Sequence, residues 1–133
     1  MIKHPTNLNN VKASASRERA AKSAVIIADY LKIHTIGASP KKLEEIVLSH
    51  HPEWKELANL AAGSLSTQTK LTNDIAWGKN ALKDGGYTHS KKESARGGKE
   101  ILKLTDKGKA TNFKKEDTLS WEQHYVLIRE GKI

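Results

Sequence analysis

The segment 70–87, "KLTNDIAWGKNALKDGGY", constrains the fold of this chain more than any other. Its apolar residues recur at the three- and four-residue spacing of one helix face: Leu71, Ile75, Gly78 and Leu82. The opposite face contains no acid and carries only polar, short or basic residues: Thr72, Asn73, Ala76, Lys79, Asn80 and Lys83. Gly85 and Gly86 then predict the helix end, because glycine readily takes the left-handed conformation found there. We therefore expect a helix with one buried face and one solvent face free of negative charge.

The N-terminal part predicts a long helix behind a polar arm. Residues 1–13 are polar and rich in asparagine, so they are expected to form a flexible arm. From Ser14 or Ser16 onward, apolar residues recur at helical spacing. The sequence HTIGA at 34–38 is expected to end this first helix.

Two further helices are predicted before the segment at 70–87. Ser39 followed by Pro40 marks a helix start, since serine can cap a free backbone N–H and proline has none to satisfy. Pro52 opens a short third helix. A polar loop is expected over 63–69.

The residues after Gly86 predict a small antiparallel sheet. Residues 87–92 and 99–104 can form two strands joined by a loop that contains Arg96. A further helical turn is expected in TDKGKA at 105–110. These patterns together predict a mostly helical α+β domain over residues 14–110.

The extension over 111–133 predicts a C-terminal helix that ends at Gly131. Ser120 and Gln123 have the spacing of a capping box at its start. Its apolar residues could form a homodimer contact or cover the first helix of the same chain: Trp121, Tyr125 and Ile128. A dimer is the slightly favoured prediction, because two-fold symmetry would double a recognition surface.

The positive charge is concentrated in one third of the chain. The 133 residues carry a net charge of +8. Residues 70–115 hold 12 Lys or Arg against 5 acids, whereas the remainder holds 11 against 10. A lysine-rich solvated surface is the simplest explanation, but this asymmetry favours a polyanionic partner.

Composition excludes several other classes of protein. The length suits one domain, and the absence of cysteine excludes disulfides and thiolate metal sites. No pattern typical of a signal peptide or a membrane span is present, so a cytoplasmic protein is expected. His50 and His51 would point about 100° apart on a helix and have no third ligand at zinc spacing, so neither a metal nor a cofactor is predicted.

A helix with a polar stripe followed by a basic hairpin is the order of a winged helix-turn-helix, which binds the major groove with the helix and the DNA backbone with the hairpin. Six candidates for groove contacts lie on the predicted helix: Lys70, Thr72, Asn73, Lys79, Asn80 and Lys83. Four candidates for backbone or minor-groove contacts lie on the hairpin: Lys91, Lys92, Arg96 and Lys99. The alternatives are an ordinary solvated helix face and a mobile charged hairpin.

The sequence over about 70–110 resembles the N-terminal winged-helix domain of Mrr-type restriction system proteins. The resemblance rests on the following residues: Asn73, Trp77, Leu82, Lys83, Gly86, Leu104, Thr105 and Gly108. It implies duplex DNA binding in a phage, mobile-element or defence context. Asp74 and Ala76 stand where the family carries arginines, so its base-reading pattern need not transfer. The resemblance does not extend to the nuclease domain of that family, and cleavage is not implied.

The sequence thus predicts a non-enzymatic protein that binds double-stranded DNA specifically, as a regulator, an origin- or site-binding protein or a targeting factor. A winged-helix protein-interaction module and an RNA-binding protein are alternatives. A small nuclease is less favoured. Asp29, Glu53 and Lys55 superficially resemble a nuclease motif, but they fall on helical patterns, whereas restriction nucleases place that motif on strands.

Overall fold

The computed structural model describes residues 5–60, 69–92 and 100–133, together with the side chains of all of these except 5–14 and Lys92. The described elements are α1 (Pro5–Ile33), α2 (Pro40–His50), a 3₁₀ helix (Pro52–Asn59), α3 (Lys70–Asp84), β1 (Thr88–Lys92), β2 (Glu100–Leu104), α4 (Asp106–Ala110) and α5 (Trp121–Glu130). The chain is α+β and mostly helical, with a two-stranded antiparallel sheet, which confirms the coarse fold prediction. The loops predicted over 63–69 and around Arg96 fall largely outside the described residues.

Helix α3 packs closely across α1, and small residues make this crossing possible. Four alanines of α1 are buried: Ala20, Ala21, Ala24 and Ala28. The backbone of two of them, Ala20 and Ala24, lies next to Gly78 of α3. On α3, Gly78 lies so close to α1 that an added Cβ atom would be 2.5 Å from the carbonyl oxygen of Ala20. The buried stripe predicted on α3 is confirmed, because Leu71, Ile75 and Leu82 are at most 2% exposed.

An ion pair reinforces the same crossing. Arg19 on α1 donates from Nε to Oδ2 of Asp74 on α3 over 2.6 Å, and their side chains are 16% and 3% exposed. Asp74 therefore lies inside the buried face of α3 and is neutralised there. The sequence predicted that Asp74 lies outside the polar stripe, but it did not predict the ion pair with Arg19.

The sheet is joined to the end of α3 and to the segment between α1 and α2. Strands β1 and β2 pair so that Thr88 lies opposite Leu104 and Lys92 opposite Glu100. Leu102 and Leu104 are buried and Lys103 is exposed, as the alternation predicts. Ala38 adds an isolated bridge to β2, since its N–H donates to the Leu102 carbonyl over 3.1 Å and its carbonyl accepts from the Leu102 N–H over 2.8 Å.

Most predicted helix ends are confirmed by their capping groups. The Ser39 hydroxyl accepts from the Lys42 N–H, and Ser120 and Gln123 form the expected capping box. Gly131 ends α5 in the left-handed region, with φ of 70°. The start of α1 differs, because its backbone is helical from Pro5 rather than from Ser14 or Ser16. Proline in a first helical turn is well tolerated, whereas the polar residues that follow give no apolar period that would reveal a helix.

Helix α5 covers α1 and α3 of its own chain. Tyr125 and Ile128 are 5% and 0% exposed, and Trp121 is half-buried against the core. Arg17 on α1 pairs with Glu122 on α5 over 2.6 Å. A dimer contact through the buried Tyr125 and Ile128 side chains does not fit this packing, which agrees with the alternative that α5 covers the first helix.

The tight α1–α3 crossing makes a specific prediction for Gly78→Ala. Alanine favours a helix by about 1 kcal/mol over glycine, but its Cβ would collide with backbone that cannot rotate away. We expect a net loss of about 1–3 kcal/mol in the free energy of unfolding, as in other overpacked interiors. Urea denaturation measures it, with Ala76→Ser on the opposite face as a control expected within about 0.5 kcal/mol of wild type. A Gly78→Ala variant at least as stable as wild type would contradict this packing.

The buried imidazole of His124 predicts a loss of stability in mild acid. Its Nε2 donates to the Phe113 carbonyl over 2.9 Å, while its Nδ1 is buried with no hydrogen-bond partner in the described structure. Burial lowers the pKa of His124, and the hydrogen bond to Phe113 opposes this only partly. Below about pH 6.5 the His124 side chain is therefore protonated in the unfolded chain but stays neutral in the folded chain. The free energy of unfolding is thus highest above about pH 6.5 and falls as the pH decreases below it.

Thermal unfolding between about pH 5 and 8 tests this expectation around the ordinary histidine pKa. In His124→Gln, which keeps a donor for the Phe113 carbonyl, the dependence of stability on pH should become shallower over this range. The exposed His50 provides the matched substitution, His50→Gln, against which the effect of His124→Gln is compared. Equal dependence in wild type and His124→Gln would contradict the assignment.

Candidate functional site

A groove of about 130 Å³ lies between the C-terminal half of α3 and the β1–β2 hairpin. It is lined by Lys79, Asn80, Lys83, Thr88, His89, Ser90, Glu100 and Leu102. Three of the six residues predicted for groove contacts on the helix therefore lie together at this groove. The structure brings them against the strands that the sequence assigned to the basic hairpin.

The backbone at the end of α3 holds the hairpin beside these side chains. The Tyr87 N–H donates to the Leu82 carbonyl over 2.9 Å, and the Thr105 hydroxyl donates to the Gly86 carbonyl over 2.7 Å. Gly86 has φ of 81°, a conformation that side-chain-bearing residues rarely adopt. The two glycines that end the helix thus also direct the chain back along it as β1.

The polar side chains of α3 differ in their exposure. Lys79 is half-buried on the side of α3 next to α2 and the hairpin, whereas Asn80 and Lys83 are exposed. Lys79 and Lys83 are one helical turn apart and so lie next to each other on the helix surface. The groove is therefore bordered on the α3 side by two ammonium groups and a carboxamide.

The lysines of this region whose side chains are described take part in no salt bridge. Between 70 and 115, none of the lysines whose side chains are described forms a salt bridge with another described residue: Lys70, Lys79, Lys83, Lys91, Lys103, Lys107, Lys109, Lys114 and Lys115. On α1, by contrast, Arg17, Arg19 and Lys22 all do. Lys107 has a structural contact instead, because its Nζ donates to the Gly85 carbonyl over 2.7 Å.

Two acidic residues that the sequence did not assign to the site also lie here. Glu100 lines the groove, and Glu44 of α2 accepts a hydrogen bond from the Thr72 hydroxyl over 3.3 Å. The Thr72 oxygen also accepts from the Thr69 hydroxyl over 3.0 Å. The position of Glu100 was predictable, because side chains alternate along a strand and Glu100 lies on the same face of β2 as Leu102. The contact of Glu44 with Thr72 was not, since the two residues are 28 positions apart and no local pattern links them.

The remaining predicted contact residues lie outside the groove. Lys70 and Asn73 are half-buried on α3 and are not among the lining residues. Lys91 is exposed, and alternation along β1 places it on the face opposite Ser90. Lys92 is described only through its backbone. Arg96 and Lys99 lie outside the described residues.

An exposed aromatic side chain borders the polar stripe of α3 on the side turned to α5. Trp77 is 43% exposed, and its ring centroid lies 6.4 Å from that of Tyr125 at an interplanar angle of 28°. The guanidinium carbon of Arg129 lies 5.7 Å from the centroid of Tyr125. Burial raises the pKa of Tyr125, so its hydroxyl is protonated at neutral pH and adds no negative charge here.

The described residues contain no group of three or more His, Cys, Asp or Glu side chains that could hold a metal ion. His51 stacks on Trp54 at 4.0 Å and bonds through Nδ1 to Glu53 over 3.0 Å. This hydrogen bond is the main cause that lowers the pKa of Glu53.

Among the described helices, none has both the length and the apolar character needed to cross a membrane.

Comparisons with protein families, with curated proteins and with solved structures find no match to this chain. The resemblance to Mrr-type winged-helix domains therefore stays a prediction from the residues that carry it. The groove, the lysines beside it that form no salt bridge with a described residue, and the exposed Trp77 distinguish this face of the molecule.

Proposed function

We propose that this chain is a winged-helix protein that binds double-stranded DNA without catalysing a reaction on it. In this proposal α3 enters the major groove, and the β1–β2 hairpin lies against the neighbouring sugar–phosphate backbone. The observation that carries the proposal is the groove in which Lys79, Asn80 and Lys83 of α3 face the hairpin. A role in regulation, in marking a DNA site or in targeting another protein would follow from occupancy of the DNA.

The order of elements supports the winged-helix proposal. Helix α1 is followed by the bridge at Ala38, then by α2, α3 and the two strands. Ala38 pairs with β2, and β1 is the other neighbour of β2. Winged helices have this order, with a short extended segment after the first helix and a hairpin after the recognition helix.

The positive charge on the solvent-facing side of α3 supports binding to the phosphate backbone of DNA. Lys79 and Lys83 have no salt-bridge partner among the described residues, so binding of a phosphate would not first require an internal ion pair to break. Each phosphate neutralised by a lysine releases condensed counterions, and this release drives binding at low salt. The major groove of B-DNA is wide enough to admit an α-helix.

The polar groups on α3 divide into two roles in this proposal. Lys79 and Asn80 are the groups suited to base edges, because lysine donates to guanine acceptors and a carboxamide pairs with adenine through two hydrogen bonds. Thr72 was predicted to make a similar contact, but its hydroxyl is bonded to Glu44. We assign Thr72 to the positioning of α3 against α2.

The double variant Lys79→Gln/Lys83→Gln tests the charge contribution. We expect DNA affinity to fall by at least about tenfold, since one charge-assisted hydrogen bond contributes about 1.5–3 kcal/mol. Affinity should also depend less steeply on salt. The magnitude of the negative slope of log affinity against log salt should decrease by about one for each DNA phosphate that a lysine no longer neutralises. Fluorescence anisotropy of a labelled mixed-sequence duplex across a salt series measures both quantities.

A matched control for this variant lies on α1. Lys22→Gln removes a lysine that is paired with Glu18 over 3.2 Å and carries no predicted contact, so its affinity and salt slope should stay close to those of wild type. Equal effects of the Lys22 and the Lys79/Lys83 substitutions would indicate a diffuse charge effect and contradict a site on α3. No binding by wild type at low salt would contradict the DNA proposal and favour a protein partner.

Base reading by Asn80 makes a separate prediction. Once a preferred site has been selected from random duplexes, Asn80→Ala should bind it more weakly but lose little affinity for unrelated sequences. A bidentate contact discriminates by about 1–3 kcal/mol, so the specificity ratio should fall about 5- to 150-fold. Asn80 is exposed, and the substitution should leave the fold intact. An unchanged specificity ratio would remove Asn80 from base reading.

A further inference from the structure

Trp77 is the most exposed aromatic side chain among the described residues. It is 43% exposed, whereas Trp54, Tyr87 and Phe113 are at most 9% exposed. It lies on α3 four residues after Asn73 and three before Asn80, so it borders two carboxamides of the polar stripe. An exposed tryptophan side chain contributes less to the stability of the fold than a buried one would. This position points to a ligand.

The ring of Trp77 is supported from within the protein. Tyr125 is buried and lies nearly parallel to it at 6.4 Å, so it backs the indole from the side of α5. Arg129 is exposed beside Tyr125 and forms no salt bridge with a described residue. Asp74, the nearest acid in sequence, is neutralised by Arg19. The ring therefore lies among aromatic and amide side chains, and both the guanidinium of Arg129 and the carboxylate of Asp84 act electrostatically on the neighbouring Tyr125.

The interior of a fully paired duplex offers this ring no surface to stack on, because every base there is already stacked on both of its neighbours. An unpaired base has a free π-face, and each base stacked on an aromatic side chain contributes about 1–3 kcal/mol. The carboxamide of Asn73, one helical turn from Trp77, could then bond to the exposed edge of the same base. The chemistry beside Trp77 thus suits an unpaired nucleobase attached to a phosphate backbone.

We infer that Trp77 stacks on an unpaired nucleobase next to the bound duplex, so that the preferred ligand is DNA with a junction between paired and unpaired nucleotides. The inference rests on the proposed function and extends it by naming the class of DNA. In this arrangement α3 and the hairpin hold the duplex, and the edge of α3 next to α5 receives the first unpaired base.

The test compares three labelled DNAs of the same duplex sequence in fluorescence anisotropy at one salt concentration. The first is blunt, the second carries a short single-stranded overhang, and the third carries an overhang of abasic nucleotides. The abasic overhang has the same added phosphates but no bases, so it separates stacking from charge. Overhangs of both polarities are measured, since either a 5′ or a 3′ overhang presents an unpaired base next to the duplex.

The wild-type protein is expected to bind the overhang duplex about fivefold to 100-fold tighter than either the blunt or the abasic one, in keeping with one stacked base. Trp77→Ala should remove this preference while leaving the affinity for blunt duplex unchanged. Trp77→Phe should retain most of it, because a smaller aromatic ring can still stack. Circular dichroism should show that both variants keep the wild-type fold.

Three results would overturn the inference. Equal affinity of wild type for all three DNAs would leave duplex binding in place but remove the unpaired base from the ligand. A preference that persists in Trp77→Ala would assign the unpaired base to another surface. Failure to bind any of the DNAs at low salt would contradict the proposed function as well, and would leave a protein partner as the explanation for the exposed ring.

Discussion

The close crossing of α1 and α3 is the constraint on which the arrangement of this protein depends. The two backbones approach so closely at Gly78 that a side chain there would collide with α1. The Arg19–Asp74 ion pair joins the same two helices one turn away. Because one face of α3 is fixed in this way, the opposite face must point to solvent. The polar stripe is therefore held at the surface by the packing beneath it.

The same helix also sets the position of the hairpin and of α5. Gly85 and Gly86 end α3 and lead directly into β1, so the strands return beside Lys79 and Lys83 and form the groove. Helix α5 covers the other edge, where Tyr125 backs the exposed Trp77. One helix thus carries a basic groove on one side and an aromatic ring on the other, which makes a ligand with both phosphates and an open base a good chemical match.

Local sequence patterns predicted the fold where the physical cause is local. The apolar period of α3, the cap at Ser39 and the turn glycines act over a few residues, so the elements they mark were predicted correctly. The polar contacts between helices depend on residues far apart in sequence. Arg19 meets Asp74 across 55 residues, and Glu44 meets Thr72 across 28, so no spacing rule revealed either contact. For the apolar face of α5 the sequence slightly favoured a second chain over α1, because either partner would bury that face and no local pattern separates the two.

A nuclear magnetic resonance titration would locate the DNA-binding surface without assuming which residues bind, because it reports on every backbone amide. Isotope-labelled protein would be titrated with a mixed-sequence DNA duplex, and the shifts of assigned ¹H–¹⁵N resonances followed. We expect the largest changes on the second half of α3 and on β1 and β2, around Lys79, Asn80 and His89. Changes centred on another surface, such as the exposed Ile33 and Ile36, would contradict DNA binding through α3 and the hairpin, as would a spectrum that duplex DNA leaves unaltered.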